Sequence, residues 1–324
     1  MRNPLLDFSR GILIFLVVLG HTVQYSGYSN IGFWNDPIFL TIYMFHMPMF
    51  VFISGYLTPF HNKLSFFDTA IRCFRLLTPL FCWTGLYVGA KLFILEFEII
   101  SISQFLAVAI VSLWYLWALA GIAVIFYLTQ LGHYIFRILT LFGVISAMIS
   151  LHGSWFFSEI FYLLPFFLLG SVSARIDLHQ KVLSFPLYVW AFLGVASILC
   201  YVSFTPIVYI YQSKYLAFDF GIYTFRFVTG LVMSMLFVRV CCYLIEVSPS
   251  GASRIQDIGN HTLVIYILSS LIQPKILGVF NANSVAGIIL AVGLSIFLTI
   301  GFYCFSRILG KFRVTRVLLL GAKK

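Results

Sequence analysis

The chain has 324 residues, of which 61% are hydrophobic and 9% are charged, and its mean hydropathy is +1.03. A water-soluble protein of this length needs many more charged residues to cover its surface, so the composition excludes a soluble globular protein. The formal charge of +10 is dispersed along the chain. We therefore expect membrane lipids, and not nucleic acid, to be partners of the basic residues.

Apolar segments that are long enough to cross the ~30 Å hydrocarbon core as helices recur along the whole chain. They predict an all-α polytopic membrane protein with about ten transmembrane helices. A single integral domain would cover residues 1–305, and a basic cytoplasmic tail would cover residues 306–324. The predicted spans are 8–26, 38–57, 76–95, 110–129, 138–151, 158–173, 185–203, 216–238, 262–279 and 285–305.

The basic residues indicate the orientation of these spans. Of the twenty Lys and Arg residues, only Lys91, Lys214 and Lys275 fall near the predicted outer side, and Arg226 falls within span eight. Because Lys and Arg are enriched in cytoplasmic segments, this distribution predicts that both termini lie in the cytoplasm. The tail alternates basic and apolar residues, and we expect it to lie on the inner membrane surface.

The first predicted helix, "LLDFSRGILIFLVVLGHTV" (residues 5–23), contains three ionisable side chains. Asp7 lies three residues before Arg10, within reach for an ion pair. Arg10 and His21 are eleven residues apart, so they share one helix face and lie about 16 Å apart along the axis. Ionisable groups at such depth usually face the protein interior and mark function. The alternatives are a boundary ion pair with Arg10 reaching the cytoplasmic surface, and a histidine that hydrogen-bonds a neighbouring helix.

The second predicted helix contains "IYMFHMPMFVFISGYL", in which His46 lies about 16 Å from the cytoplasmic end, at the same depth as His21. Pro48 leaves the carbonyl group of Met44 without its helical partner, which is tolerated only against protein or a water-filled cavity. Two buried imidazoles on adjacent antiparallel helices beside a proline therefore predict a polar chamber.

Three later segments add candidate residues. Arg72 and Arg75 in "IRCFRLLTPL" share one helix face at the cytoplasmic boundary, where they either follow the general enrichment of basic residues or bind phosphate groups. Trp114 and Tyr115 are either ordinary membrane-interface aromatics or stack against a sugar or the donor. Arg226 requires a partner or a cavity, as a structural pair or as a contact to the acceptor.

Six segments resemble, in this order, the membrane-bound acyltransferase 3 family and most closely its fucose O-acetyltransferase-like branch: "DFSRGILIFLVVLGH", "FHMPMFVFISGYL", "RCFRLLTP", "SLWYLWAL", "LLPFFLLGSV" and "IGNHTLVIYIL". The resemblance extends from about residue 5 to about residue 275. That family acylates sugars and uses acetyl-CoA from the cytoplasm. One position differs, because Ser269 stands where this branch commonly has a histidine, so the resemblance assigns it no role.

The resemblance implies roles for five of the candidate residues. Arg10 and His21 would form the essential pair of the first helix. Arg72 and Arg75 match an arginine motif that is thought to serve the donor, and His46 matches a position that the branch often fills with histidine. Because coenzyme A carries several negative charges, we expect its nucleotide end to stay at the basic cytoplasmic face.

The residue types suggest how the chemistry would run. We expect His21 to act as the general base on the acceptor hydroxyl, since neutral imidazole has a suitable pKa. His46 would stabilise the oxyanion or assist proton transfer, while Asp7 and Arg10 would orient the donor or the inner end of the channel. A covalent acyl intermediate on His21 or another group is the alternative route.

Together with the resemblance, the sequence predicts a multi-pass O-acyltransferase of the bacterial inner membrane. It would transfer an acetyl group from cytoplasmic acetyl-CoA to a sugar hydroxyl of a surface polysaccharide or lipid-linked glycan, with no bound cofactor or metal. One alternative is a membrane transporter or flippase for a small anionic or glycolipid substrate, and another is a noncatalytic scaffold. The clustering of buried polar groups in the first quarter of the chain favours the enzyme.

Overall fold

The structure is a computed structural model that describes residues 3–28, 32–59, 64–95, 101–131, 143, 155–204, 219–273 and 284–321. Within these ranges every regular element is helical and no strand occurs, which confirms the predicted all-α class. A π-helical turn over Val23–Gly27 follows α1, and a 3₁₀ turn over Phe33–Asn35 precedes α2. The helices are α1 (Pro4–Thr22), α2 (Pro37–Tyr56), α3 (Phe66–Leu95), α4 (Ile102–Ser112), α5 (Trp114–Leu128), α6 (Trp155–Ser173), α7 (Leu178–Ser184), α8 (Leu187–Ser203), α9 (Phe220–Val247), α10 (Pro249–Gly259), α11 (Thr262–Leu271), α12 (Val285–Leu309) and α13 (Arg313–Leu318).

The chain is an integral membrane protein, because several of its helices are long and apolar enough to cross a bilayer. The described residues contain four such segments: Pro4–Gly27, Pro37–Tyr56, Phe220–Val247 and Val285–Leu309. The number rises to six if two bent helix pairs, α4 with α5 (81°) and α6 with α7 (93°), each form one span.

The predicted count of about ten spans and the cytoplasmic position of both termini stay predictions. Predicted span five (138–151) lies outside the described residues except for residue 143. Parts of spans eight and nine, residues 216–218 and 274–279, also lie outside the described residues.

Polar side chains cap the starts of the long apolar helices. Asp36, Asp219 and Ser284 each accept a hydrogen bond from the backbone N–H three residues further on, at 2.9–3.0 Å. At the start of α3, the Ser65 hydroxyl donates to the Asp68 carboxylate at 2.7 Å, and the N–H of Asp68 donates back to the Ser65 hydroxyl at 3.1 Å. The hydrogen bonds from Ser65 hold the pKa of Asp68 below its ordinary value.

The chain forms two compact units, and α1 contributes residues to both. The first unit contains residues 1–16, 32–63 and 132–260. The second unit contains residues 17–31, 64–131 and 261–324.

In the first unit, glycines allow the backbones of α2 and α6 to come into contact. A Cβ atom added to Gly55 would overlap the carbonyl oxygen of Phe167, and one added to Gly170 would overlap that of Phe52. Small residues at such crossings are typical of helix pairs in membranes, where close packing replaces hydrophobic association. The two glycines therefore permit the short distance between α2 and α6.

The start of α1 packs on α10 by the same means. A Cβ atom on Gly11 would overlap the carbonyl oxygen of Ile255, and one on Gly259 would overlap that of Asp7. The first turns of α1, which contain Asp7 and Arg10, are thus held directly against the backbone of α10.

In the second unit, the C-terminal segment is seated on α3. The indole N–H of Trp83 donates to the carbonyl oxygen of Leu319. Gly321 has a φ of 60°, and a Cβ atom there would overlap the carbonyl oxygen of Arg75. The positive φ and the lack of space for a Cβ atom both require glycine at this position. Gly321 therefore allows the C-terminal segment to pack directly against α3.

Candidate active site

His21 lies in the last turn of α1 and is half-buried. Its Nδ1 atom is 3.2 Å from the Oγ atom of Ser269 on α11, and its ring contacts the ring of Tyr25 at a centroid distance of 5.8 Å. Ser269 is completely buried. His21 therefore hydrogen-bonds a neighbouring helix, as one of the alternatives in the sequence analysis allowed, and the structure identifies Ser269 as the partner.

A buried polar network fixes the turn of α1 that carries His21. The amide Nε2 of Gln273 donates to Thr22 Oγ1 at 2.7 Å and to the carbonyl oxygen of Val18 at 3.2 Å. Ser295 Oγ on α12 lies 3.0 Å from Thr22 Oγ1. Because buried polar groups are stable only when hydrogen-bonded, this network holds the last turn of α1 in place.

Tyr115, one of the two predicted aromatic candidates, lies beside α11, the helix that contains Ser269. The backbone N–H of Tyr115 donates to the hydroxyl of Tyr266 at 3.4 Å, and the two rings meet edge to face at 5.8 Å. Trp114 contacts the Tyr115 ring at 6.2 Å. His21 and Tyr115 therefore contact α11 at positions three residues apart, and a role in binding sugar or donor stays a prediction.

Asp7 and Arg10 form the ion pair that their spacing predicts. Asp7 is buried at residue level, whereas the Arg10 side chain keeps 25% of its surface exposed. A polar cleft of about 470 Å³ opens beside Asp7. It is lined by Pro4 of α1, by Asn260, and by Ser253, Arg254, Gln256 and Asp257 of α10.

His46 is buried within α2. Its Nδ1 atom is 2.7 Å from the carbonyl oxygen of Ile42, and since a carbonyl oxygen can only accept, Nδ1 is the donor. The carbonyl group of Met44, which Pro48 leaves without a helical partner, faces Gly230 of α9. Of the two environments that the sequence allows for this carbonyl group, the structure shows packing against protein.

The candidate residues divide between the two units. His21 and His46 belong to different units, so the predicted polar chamber stays a prediction. Among the described residues, no group of three or more His, Cys, Asp or Glu side chains could hold a metal ion. The first unit holds Asp7, Arg10, His46 and Arg226, and the second holds His21, Arg72, Arg75, Trp114 and Tyr115.

Arg72 and Arg75 are both half-buried near the start of α3. Asp68 and Arg75 both lie close enough to Arg72 to interact with it electrostatically. Two guanidinium groups that share one helix face repel each other, and a bound anion would relieve that repulsion. The assignment of Arg72 and Arg75 to the phosphate groups of the donor therefore stays a prediction.

Arg226 has a buried acidic neighbour, Glu159, that was not predicted from the sequence. Its guanidinium carbon lies 3.7 Å from the centroid of the Tyr162 ring. Glu159 on α6 is only 2% exposed, interacts electrostatically with Arg226, and has no hydrogen-bond partner for its Oε1 atom among the described residues. The presence of an acidic residue, Glu159, inside a predicted apolar span was the sequence signal that could have indicated this neighbour. The structural-pair interpretation of Arg226 thus gains a partner, and a contact with the acceptor stays a prediction.

Comparison with known proteins gives the family. A family model described as an acyltransferase domain matches residues 3–307. The nodulation protein NolL of Sinorhizobium fredii is 41% identical over 123 residues, which cover 36% of this chain and 34% of that protein. NolL of Mesorhizobium japonicum is 30% identical over 238 residues, which cover 67% of this chain and 61% of that protein. Each match spans less than two thirds of the relative's length, and no solved structure matches the chain. Because the family model covers nearly the whole chain, the protein belongs to the acyltransferase 3 family.

Proposed function

We propose that the protein is an O-acyltransferase of the bacterial inner membrane that transfers an acetyl group from cytoplasmic acetyl-CoA to a sugar hydroxyl. The acceptor would be a surface polysaccharide or a lipid-linked glycan. The observation that carries this proposal is the hydrogen-bonded imidazole of His21 in a chain of an acyltransferase family. The transmembrane helices supply a site next to membrane lipids, where a lipid-linked acceptor would reside.

The proposed reaction requires a base because a sugar hydroxyl is a weak nucleophile at neutral pH. The ring of His21 removes the hydroxyl proton while the oxygen attacks the thioester carbonyl carbon. The tetrahedral intermediate collapses, the C–S bond breaks, and the departing thiolate of coenzyme A takes the proton from the imidazolium. The products are an acetyl ester and free coenzyme A. In the alternative two-step route, the acetyl group is first transferred to His21.

The donor would bind as a substrate through its charged end. Arg72 and Arg75 present guanidinium groups, whose planar fork matches the geometry of phosphate oxygens. The cleft beside Asp7 provides polar side chains for a nucleotide or pantetheine group. Each feature, taken by itself, supports binding of a negatively charged donor.

The remaining candidates would act on the acceptor and the oxyanion. Because Nδ1 of His46 donates to its own helix, Nε2 is the ring atom that would move a proton, and it would stabilise the oxyanion only in the imidazolium form, in which Nε2 also carries a proton. Trp114 and Tyr115 would present ring faces to a sugar, and Arg226 would contact the acceptor.

The experiment that tests this function compares the wild type with His21→Ala in nanodiscs. Radiolabelled acetyl-CoA is supplied together with native membranes as the source of acceptors. We expect the label to move to a glycan or to water only when His21 is present. His261→Ala is the matched control, because His261 also has a serine partner, Ser306, at 2.9 Å.

The outcomes separate the alternatives. Normal transfer by His21→Ala would show that the base has been misassigned. If the wild type consumes no acyl-CoA with any acceptor fraction, the enzyme proposal is wrong, and substrate flux without coenzyme A would then support the transporter or flippase. Label that stays on the denatured wild-type chain would support the two-step route.

A further inference from the structure

The hydroxyl of Ser269 lies between His21 and a backbone carbonyl group. Its Oγ atom is 3.2 Å from Nδ1 of His21 and 2.8 Å from the carbonyl oxygen of Tyr266, which belongs to the preceding turn of α11. Ser269 is completely buried, so water does not compete for either contact. The chemistry of the carbonyl group, which can only accept, decides the direction of both hydrogen bonds.

A serine hydroxyl has one proton to donate, and a carbonyl oxygen can only accept. The proton of Ser269 is therefore directed to Tyr266, and the lone pairs of its Oγ atom are left to face His21. A hydrogen bond between Oγ and Nδ1 then requires the proton to be on Nδ1. This holds for the neutral ring and for the imidazolium, because both forms can carry a proton on Nδ1.

We infer that Ser269 is a positioning residue that holds His21 in the tautomer with the proton on Nδ1, so that Nε2 is the atom that gains and loses the catalytic proton. The catalytic role of Nε2 rests on the proposed function. The tautomer of His21 rests only on the two hydrogen bonds of Ser269. Ser269 thereby gains a role, whereas the resemblance assigned it none.

The surroundings hold Ser269 and His21 at this distance. On the side of α11, Tyr266 is anchored by the N–H of Tyr115. On the side of α1, Thr22 accepts from Gln273, which fixes the residue next to His21. Both partners of the hydrogen bond are thus held by contacts to neighbouring elements. Catalytic groups require such supporting contacts for precise orientation.

The kinetic test uses Ser269→Ala, Ser269→Thr and the matched control Ser306→Ala, which removes the serine partner of His261 instead. Without its acceptor, a neutral imidazole distributes its proton over both ring nitrogens. We expect Ser269→Ala to lower kcat about two- to tenfold, the range that corresponds to losing one hydrogen bond, with KM for acetyl-CoA unchanged. Ser269→Thr, which keeps the hydroxyl, should recover most of the rate, and Ser306→Ala should retain it.

A spectroscopic test does not depend on activity. NMR of protein carrying isotope-labelled histidine, with His21→Ala used to assign the His21 signals, reports which ring nitrogen is protonated. We expect Nδ1 to be protonated in the wild type and a mixture in Ser269→Ala. A wild-type ring protonated on Nε2 alone, or an unchanged kcat in Ser269→Ala, overturns the inference. A wild type that consumes no acyl-CoA but shows the Nδ1 tautomer overturns only the proposed function.

Discussion

The indole N–H of Trp83 donates a hydrogen bond to the carbonyl oxygen of Leu319 at 3.1 Å and ties the C-terminal segment to α3. The Trp83 ring also contacts Phe305 of α12 at 6.3 Å. Two residues beyond Leu319, Gly321 meets the backbone of Arg75. Leu319 and Gly321 lie beyond residue 307, where the match to the family model ends, whereas the residues that they contact lie within it. The segment therefore supports the helix that carries both candidate phosphate-binding arginines.

Gly321→Ala should release this segment from α3. The left-handed backbone conformation costs an alanine about 1–2 kcal/mol, and its Cβ atom would overlap the carbonyl oxygen of Arg75. We expect a several-fold higher KM for acetyl-CoA, because Arg75 loses a neighbour, with kcat little changed. Steady-state kinetics checks this. Gly301→Ala is the control, since a Cβ atom there meets nothing within 4 Å, and equal KM values for the two variants would contradict the expectation.

Gly55→Ala should destabilise the pair formed by α2 and α6. Its Cβ atom would overlap the backbone of Phe167, so the helices must separate, at a cost of about 1–3 kcal/mol as for other overpacked interiors. Thermal unfolding in detergent measures the effect as a lower midpoint. Gly85→Ala in α3 has open space around the new methyl group and should leave the midpoint unchanged or raise it slightly. A Gly55→Ala midpoint equal to that of Gly85→Ala would show that the contact is not required.

Glu159 and Arg226 should behave as a coupled buried pair. Glu159→Leu leaves the Arg226 charge buried without its acidic neighbour, and Arg226→Leu leaves the acid, so each single change should cost about 3–5 kcal/mol. The double variant Glu159→Leu/Arg226→Leu should cost clearly less than the sum of the two, because no buried charge remains. A double-mutant cycle of unfolding free energies measures this coupling. Additive costs would mean that the two side chains do not stabilise each other.

His46→Asn separates a structural role from a chemical one. An asparagine amide can still donate to the carbonyl oxygen of Ile42, as Nδ1 does, but it has no atom equivalent to Nε2. If Nε2 stabilises the oxyanion or moves a proton, His46→Asn and His46→Ala should both lose about a hundredfold in kcat. Transfer assays with matched expression levels check this. Activity near the wild-type level in His46→Asn alone would assign His46 to the helix and not to the reaction.

The sequence was most informative where a single helix determines the answer. Asp7 and Arg10 form their ion pair within one turn of α1, so their spacing was sufficient to predict it. Pro48 has no N–H, so the sequence also predicted that the carbonyl group of Met44 lacks its helical hydrogen bond. The sequence left open which of two environments this carbonyl group would face. In each case the interaction depends on residues three or four positions apart, where helix geometry is fixed.

The sequence was least informative about partners on other helices. Ser269 lies 248 positions after His21, and its role emerged only from the distances to His21 and Tyr266. Glu159 was visible as an acid in an apolar span, but its pairing with Arg226 depends on how α6 and α9 pack. No spacing rule connects residues on separate helices, since the register between two helices is set by the shapes of all the side chains at their contact.

By itself, the sequence determined that this is a helical membrane protein with an imidazole and an ion pair in its first helix. Hydrophobic runs and helix periodicity are local properties, so composition and spacing were enough to reveal them. The tertiary structure alone decided which hydroxyl faces His21, which acid neighbours Arg226, and which backbone the C-terminal segment is seated on. Those contacts depend on close packing between distant segments, and close packing is determined by three-dimensional shape.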